Sequence, residues 1–216
     1  MEIIKIEGTK PNELEVEKIK SFLDKGKIVV LPTETVYTFA TDATNLDALK
    51  KIYELKGRDF SKPLHVVVSS IRMAQKYVYI TPIAEKLAKR FLPGPLTLVL
   101  KKKKGRLPDL LTSNLPTLGI RIPDLPLNKI VSEKLKVPYT TTSANISGEA
   151  NPYSIEQVLK QLSKEKQTFV DLMVDVGSLP QLKPSTLIDL TQSPPKILRE
   201  GPISKKDLEK VIGKVI

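Results

Sequence analysis

The stretch YELKGRDFSKPL, residues 53–64, places two cations around a glycine where a helical pattern ends. On a continuing helix Lys56 and Arg58 would point to different sides, whereas in an extended chain they would share a face. Gly57 favours a helix end there, because glycine readily adopts left-handed backbone angles. The pattern predicts either a helix end with two solvated charges or a pair of cations that binds an anion.

Hydroxyl and carboxyl side chains directly follow a buried strand pattern in LPTETVY, residues 31–37. In α/β folds the segment after a strand commonly faces the ligand crevice. The alternative is a capped turn, with Thr33 starting a short helix. The segment therefore offers candidate ligand contacts at Thr33, Glu34, Thr35 and Tyr37.

A second polar group is formed by TLGIRIP, residues 117–123, and TTTSANISG, residues 140–148. Arg121 alternates with apolar neighbours in a strand pattern, and an unpaired buried charge is very costly. We expect Arg121 to have a partner or to point into a cleft. The segment 140–148 indicates a loop whose short donors could reach phosphate oxygens, or an ordinary Ser/Asn turn.

Arginine is scarce in this basic chain. Six of the 35 basic residues are arginine, which leaves 29 lysines. Three arginines fall in polar segments: Arg58, Arg121 and Arg199, the last at the end of a strand pattern that follows Ser185. A guanidinium group suits two-pronged binding of carboxylate or phosphate, so these positions favour an anionic ligand.

The composition excludes several kinds of chemistry. The chain has no cysteine and one histidine, His65. Disulfides, thiolate nucleophiles, Cys-based zinc sites and sites with several imidazoles are therefore excluded. Any metal should be hard and oxygen-bound, and we expect Mg²⁺ carried by a phosphate ligand. The net charge of +11 favours nucleotides or nucleic acid as partners, although a solvated lysine-rich surface has the same charge.

The common phosphate-binding loops are missing, so a nucleotide would be bound by another scheme. The N-terminus MEIIKIEGTK lacks the features of a signal peptide, and no apolar run is long enough to span a bilayer. A cytoplasmic protein is the expectation.

The elements that must position these residues alternate between strand and helix. We expect one α/β domain over residues 1–216, with a twisted sheet of mixed parallel and antiparallel strands and flanking helices. Thr81 with Pro82, and Ser154 with Gln157 as a capping box, indicate helix N-termini. Strand patterns occur at MEIIKI, KIVVLP, LHVVVSS, LTLVLKKK, TLGIRIP, LMVDVG, TLIDL and KILR.

In their order along the chain, these motifs resemble the YrdC-type threonylcarbamoyl-AMP synthases. The K-x-R and S-x-N tetrad of that family corresponds to Lys56-Gly57-Arg58 and Ser143-Ala144-Asn145. The segments PTETVY, PGPLTLVL, R-x-P, STLIDL and ILREG also match in the family's order. The resemblance covers roughly residues 10–202. It implies a single YrdC-like domain with a large, basic concave face.

The resemblance also implies a reaction. L-threonine, bicarbonate or CO₂, and ATP with Mg²⁺ would give threonylcarbamoyl-AMP and pyrophosphate. The product would serve the t⁶A modification of tRNA through separate transferase machinery, and tRNA or double-stranded RNA would be a further partner. Such a reaction needs the substrates to be correctly placed and the charge on the phosphates to be compensated, rather than a nucleophilic side chain.

Individual roles follow from the resemblance. The catalytic tetrad, which would hold the triphosphate and surround Mg²⁺, is Lys56, Arg58, Ser143 and Asn145. L-threonine would be bound by Thr35, Tyr37, Arg121 and Ser185, with Arg121 clamping the carboxylate and Tyr37 closing over the amino acid. Further ATP contacts would come from Lys62, Thr117, Thr141, Asn151 and Arg199.

The chain departs from the family pattern at several positions. Thr38 stands where glycine is usual after VY, and Asp59 where proline often follows KGR; both concern loop geometry. Some relatives place a histidine against threonine at the position of Val67. Here His65 lies two residues earlier on the same strand face, and we expect it to be structural.

Two other functions fit the same residues. One is a basic module that binds tRNA or double-stranded RNA without chemistry. The other is a YrdC-fold paralogue that carbamoylates a different acceptor, since the tetrad does not by itself select threonine.

Overall fold

The computed structural model describes residues 1–216, and its ten strands form one sheet. The strands are β1 (Glu2–Lys5), β2 (Val29–Pro32), β3 (Tyr37–Ala40), β4 (His65–Val67), β5 (Leu96–Lys101), β6 (Thr117–Arg121), β7 (Tyr139–Ser143), β8 (Leu172–Asp175), β9 (Thr186–Asp189) and β10 (Lys196–Arg199). Their spatial order is β1-β8-β2-β3-β7-β4-β6-β5-β9-β10. Parallel pairs such as β4 with β6 stand beside antiparallel pairs such as β2 with β3, which confirms the predicted mixed sheet.

Helices connect the strands. They are α1 (Glu13–Asp24), α2 (Leu46–Lys56), α3 (Ile71–Ala74), α4 (Pro82–Phe91), α5 (Pro126–Leu135), α6 (Ile155–Gln161), α7 (Lys164–Gln167) and α8 (Lys205–Ile212), with a 3-10 helix at Asp109–Thr112. None of them combines the length and apolar composition needed to cross a bilayer.

Local signals set several helix ends as predicted. The hydroxyl of Thr81 accepts from the amide of Ala84 at 3.2 Å and starts α4. The hydroxyl of Ser154 likewise caps α6, but the side chain of Gln157 accepts from the amide of Tyr153, one residue before the cap. The capping box predicted at Ser154 is therefore only half formed.

Among the elements that were not predicted from the sequence, two strands and a helix bear on the site. The strand β3 begins within the polar segment 31–37, which forms a hairpin turn rather than the start of a helix. The strand β7 takes up most of the hydroxyl run at 139–143, so the loop starts only at Ala144. Threonine is a good strand residue, and the Thr140 hydroxyl accepts from the amide of Thr41, so these polar side chains find partners inside the sheet. The helix α5 lies where the sequence patterns predicted no helix.

The two faces of the sheet are covered to different extents. One face packs under α2, α4, α6 and α8 in a large apolar cluster that includes Ile52 and Leu98. On the opposite face α1 and α5 cover only the part around Val67 and Tyr139. The rest of that second face is open above β4, β5 and β6, and this is where the polar residues collect.

Candidate active site

A cavity of about 110 Å³ lies on the open part of the sheet. Polar and charged side chains dominate its lining: Thr35, Arg58, His65, Thr97, Arg121, Thr141, Thr142, Ser143, Ser185 and Arg199, together with Val36, Pro63, Leu64 and Pro184. No aspartate or glutamate is among these residues, but Glu34 adjoins the cavity through its contact with the lining residue Arg121. The concentration of guanidinium and hydroxyl groups suits an anionic or zwitterionic ligand.

Arg58 reaches the cavity because α2 ends where the sequence predicts. Gly57 follows the helix with φ 55°, and its amide bonds back to the carbonyl of Glu54 at 3.0 Å. The Arg58 guanidinium then donates to the carbonyls of Lys62 and Pro63, both at 3.1 Å. Burial lowers the pKa of Arg58, and no carboxylate compensates its charge. Arg58 therefore offers an unneutralised cation to a ligand.

Lys56 was expected to extend beside Arg58 and bind an anion with it, but it does not. Its side chain is buried, 1% exposed, and does not line the cavity. The ammonium donates to the carbonyls of Ser143 and Asn145, at 2.5 and 2.7 Å, and to Oδ1 of Asn145 at 3.0 Å. Burial, then repulsion from Arg58 and Lys166, lowers the pKa of Lys56 to about 7. In this structure Lys56 positions the loop after β7 rather than contacting the cavity.

Asn145 is the other member of the predicted tetrad that lies outside the cavity lining. Its Oδ1 accepts from the Ser143 hydroxyl at 2.6 Å, and its amide nitrogen donates to the carbonyl of Glu149 at 2.5 Å. These bonds fold the segment 143–149 back on itself. Ser143 remains on the cavity, so Asn145 acts on the site through its neighbour.

Arg121 is almost fully buried, at 4% exposed, and it meets the turn between β2 and β3. Both terminal nitrogens donate to the Thr35 hydroxyl at 3.2 Å, and one of them lies 2.8 Å from Oε1 of Glu34. The turn is held by the Thr33 hydroxyl, which accepts from the amides of Thr35 and Val36 at 3.2 Å. Arg121 was expected to have a partner or to point into a cleft, and it does both.

Arg199 closes the other side of the cavity. It donates to the carbonyl of Ser185 at 2.9 and 3.1 Å and approaches the Ser185 hydroxyl at 3.4 Å. That hydroxyl also shares a 2.8 Å hydrogen bond with Thr97 at the start of β5. Burial, then repulsion from Arg121, lowers the pKa of Arg199.

His65 lies on the cavity floor over Gly119. A β-carbon at Gly119 would stand 2.5 Å from the His65 ring, so the imidazole can occupy this place only above a glycine. Burial, followed by repulsion from Arg199, Arg58 and Arg121, lowers the pKa of His65 to about 3. A neutral ring nitrogen can therefore accept a hydrogen bond among cationic donors. Val67 packs in the apolar cluster and does not reach the cavity.

Tyr37 is placed differently from the expectation that it closes over a ligand. The side chain is fully buried, and its hydroxyl donates to the carbonyl of Gly177 at 2.7 Å while accepting from the amide of Val176 at 3.1 Å. Burial raises the pKa of Tyr37 to about 12. The residue ties β3 to the segment after β8 and has no part in the cavity lining.

The remaining predicted ATP contacts are distributed around the cavity. Thr141 lines it directly. Thr117 lies on the open face of β6 in alternation with Gly119 and Arg121. Lys62 is exposed on the loop that carries Arg58, and Asn151 precedes Pro152, whose carbonyl accepts from the amide of Tyr37. Thr117, Lys62 and Asn151 therefore lie near the cavity but do not line it.

Sequence reasoning missed several residues of the site. Thr97 lies in a strand pattern that is otherwise apolar and gave no sign of a ligand contact, and His65 was expected to be structural. Glu34 was one of four polar residues in a short segment, with no sign of its pairing with Arg121. The alternation of Thr97 with buried Leu96 and Leu98 is a signal that could have identified it as facing the cavity.

A larger and more open groove of about 860 Å³ lies near the end of the β5–β6 hairpin. Its basic lining residues are Lys101, Lys102, Lys103, Lys104 and Arg106. The groove is not the convergence point of the buried guanidinium and hydroxyl groups, so the smaller cavity is the candidate active site. The residues contain no cluster of three or more His, Cys, Asp or Glu that could hold a metal.

A family model matches most of this chain. The Sua5/YciO/YrdC model, described as "Telomere recombination", matches residues 21–201. A protein of Methanocaldococcus jannaschii is 42% identical over 200 residues, which are 90% of this chain and 92% of that relative. A threonylcarbamoyl-AMP synthase of Pyrococcus abyssi is 36% identical over 204 residues, which are 94% of this chain but only 58% of that enzyme.

Solved structures share the fold. Sua5 of P. abyssi, crystallised with L-threonine, superimposes with a TM-score of 0.92 at 35% identity, over 100% of this chain and 63% of that one. YciO of E. coli superimposes with a TM-score of 0.86 at 26% identity, over 96% of this chain and 100% of that one.

Proposed function

Since the chain belongs to the Sua5/YciO/YrdC family, we propose that it is a threonylcarbamoyl-AMP synthase. It converts L-threonine, bicarbonate and ATP to threonylcarbamoyl-AMP and pyrophosphate, which makes it a nucleotidyltransferase. Curated relatives in P. abyssi, Bacillus subtilis and Homo sapiens are named threonylcarbamoyl-AMP synthases. The chain spans 58% of the length of the Pyrococcus and Bacillus enzymes. That it has the activity of those longer enzymes is therefore a proposal.

The observation that carries this proposal is the convergence of Arg58, Arg121 and Arg199 on one small cavity. Two of these guanidinium groups have no carboxylate partner, while the third contacts Thr35 and Glu34. Uncompensated cations favour a polyanion, and the paired one favours a ligand with less net charge. ATP and an amino acid together have these properties.

The cavity divides between the two substrates. Arg121, Thr35 and Ser185, on one side of the cavity, bind L-threonine. Arg58, Arg199, Thr141 and Ser143 surround the phosphates. The nucleoside extends over the open face of β6 towards Thr117, with Lys62 and Asn151 at the margins.

The chemical step needs no protein nucleophile. The ammonium group of threonine first releases a proton to solvent. The free amine then attacks the carbon of CO₂ and releases a second proton to solvent, or condenses with bicarbonate and releases water; both routes give a carbamate. A carbamate oxygen then bonds to the α-phosphorus of ATP, and the bond from that phosphorus to the bridging oxygen of pyrophosphate breaks. Arg58 and Arg199 stabilise the charge that builds on the leaving group.

Magnesium enters as part of the substrate. The cavity lining offers hydroxyl oxygens but no carboxylate, which fits Mg²⁺ held mainly by ATP phosphates rather than by the protein. Lys56 and Asn145 hold the Ser143 loop against the phosphates from outside the cavity.

The test is turnover with labelled bicarbonate, ATP, Mg²⁺ and each amino acid in turn, read as labelled adenylate and pyrophosphate. Only L-threonine should give product, and Arg58→Ala should abolish it. Arg72→Ala, an exposed arginine outside the cavity, is the matched control and should keep full turnover. Unchanged turnover in Arg58→Ala would refute the assignment, and product with another amino acid would identify a paralogue with a different acceptor.

A second function, RNA binding, is favoured by the groove of about 860 Å³ at the β5–β6 hairpin. Lys102 is paired with Asp109 at 2.6 Å and Lys103 donates to the carbonyl of Gln75, but the Lys104 and Arg106 side chains form no ion pair or hydrogen bond within the protein. We propose that tRNA, or a double-stranded RNA segment of it, binds there.

Binding of tRNA should weaken steeply with salt. Replacing both Lys104 and Arg106 by glutamate should reduce that binding and leave synthesis of the adenylate unchanged. If tRNA binds this double variant as it binds the wild type, the groove is not the RNA site. Salt-dependent RNA binding without any nucleotide affinity would favour a binding module over the enzyme.

A further inference from the structure

The three guanidinium groups of the cavity differ in their counterions. Arg58 and Arg199 donate to backbone carbonyls and a hydroxyl. Arg121 alone has a carboxylate beside it, because Oε1 of Glu34 lies 2.8 Å from its terminal nitrogen. The Glu34–Arg121 pair therefore adds no net charge, whereas the other side of the cavity is strongly cationic.

The pair has hydrogen-bonding capacity that the protein leaves unused. Both carboxylate oxygens of Glu34 are buried, and neither has a well-aligned hydrogen-bond donor; the contact with Arg121 is close but bent. Nε of Arg121 is also buried without an acceptor. Buried polar groups in folded proteins are nearly always paired, so these atoms suit a ligand that supplies a donor to Glu34 and an acceptor to Arg121.

An α-amino acid supplies both groups from a single carbon. Its ammonium group has three N–H donors, and its carboxylate accepts from a guanidinium edge. The hairpin turn holds Glu34 next to Thr35, whose hydroxyl already contacts Arg121, so the two charges are fixed relative to each other before a ligand arrives. Such preorganisation reduces the cost of binding.

We propose that Glu34 binds the α-ammonium group of the amino-acid substrate. The Glu34–Arg121 pair thereby selects a zwitterion over a simple carboxylate, and leaves the net positive charge of the cavity to the polyphosphate. This inference rests on the proposed function and adds a specificity residue to it.

The experiment compares L-threonine with 3-hydroxybutanoate, which is threonine without its amino group. Dissociation constants for both are measured by calorimetry on wild type, Glu34→Gln and Glu85→Gln. Glu85 is an exposed glutamate on α4 and serves as the matched charge control. Binding of ATP is measured alongside to establish that the cavity is intact.

In Glu34→Gln the dissociation constant for L-threonine should rise at least about tenfold, as expected for a lost charge-assisted hydrogen bond. The constant for 3-hydroxybutanoate should stay unchanged or fall, because the competing carboxylate charge is gone. Glu85→Gln should behave as wild type. Should Glu34→Gln fail to fold, Glu34→Ala gives the same comparison without burying a polar amide.

An equal weakening of both ligands would overturn the proposal, because it would mean that Glu34 only orients Arg121. Unchanged binding of L-threonine would overturn it as well. If wild type binds no L-threonine, the proposed function fails instead. The same comparison between the amino acid that does bind and its des-amino acid then decides the role of Glu34.

Discussion

The ammonium of Lys56, at the last position of α2, donates a 3.0 Å hydrogen bond to Oδ1 of Asn145 in the loop after β7. It also donates to the carbonyls of Ser143 and Asn145, so a single side chain bonds three acceptors at the end of β7 and in the loop that follows. The helix that presents Arg58 is thereby tied to the loop that presents Ser143. Two parts of the cavity, far apart in sequence, keep a fixed separation for this reason.

Replacing Lys56 by methionine should lower both stability and catalysis. Methionine has a similar shape but removes the side-chain donor to the carbonyls of Ser143 and Asn145, and each unsatisfied buried group costs about 1–3 kcal/mol. We expect the free energy of unfolding, measured with urea, to fall by at least about 2 kcal/mol. The KM for ATP should rise because Ser143 is no longer held.

Lys51→Met is the control for this change, since Lys51 is exposed on the same helix. It should alter stability by no more than about 0.5 kcal/mol. A Lys56→Met protein as stable as wild type would show that the loop holds itself without the ammonium.

The single histidine should remain neutral far below its usual range. The folded-state pKa of His65 is lowered to about 3 from 6.5, by burial and then by Arg199, Arg58 and Arg121. As the pH falls below 6.5, the unfolded chain takes up the proton before the folded chain does. The stability that His65 contributes is therefore present above pH 6.5 and is lost as the pH falls towards about 3.

NMR can follow this directly, because the chain has one imidazole. The His65 ring signals should keep their neutral shifts from about pH 8 down to about pH 4. Replacing Arg199, whose repulsion is the largest electrostatic cause, by glutamine should raise the midpoint. A titration centred near the ordinary histidine pKa would contradict this picture of the cavity floor.

Gly119→Ala should push the His65 ring out of place. The added β-carbon would stand 2.5 Å from the ring, so something must shift. We expect a loss of about 1–3 kcal/mol in unfolding free energy, typical of overpacking, and weaker binding of L-threonine. Circular dichroism during thermal and urea unfolding measures the first effect, and calorimetry the second.

The cause is tested by a double-mutant cycle. With His65→Ala in the background, Gly119→Ala should cost less, by at least about 0.5 kcal/mol, because the clash has been removed. Strict additivity of the two changes would show that the cost of Gly119→Ala comes from the backbone instead.

Tyr37→Phe should separate structure from substrate binding. The change leaves the Gly177 carbonyl and the Val176 amide without their partner, at a cost of about 1–3 kcal/mol in stability. The hydroxyl does not reach the cavity, so the KM for L-threonine should be unchanged. Tyr153→Phe, which removes a more exposed hydroxyl bonded to Leu182, should cost less stability. A raised KM for threonine in Tyr37→Phe would restore the earlier expectation that this side chain closes over the substrate.

The sequence by itself determined the features that depend on neighbouring residues. Apolar periodicity marked most strands and helices, and Gly57 marked the end of α2, since backbone angles and side-chain spacing are local properties. The scarcity of arginine among many lysines singled out Arg58, Arg121 and Arg199, all of which line the cavity.

The destination of each polar side chain was decided only by tertiary structure. Lys56 and Arg58 are two residues apart, yet one is bonded beneath the loop after β7 and the other faces the cavity. Glu34 meets Arg121 only because the β2–β3 turn lies over β7 and β4 in the sheet. A long polar side chain settles where partners from other elements satisfy its charge, and those partners are brought together by the fold rather than by adjacency in the chain.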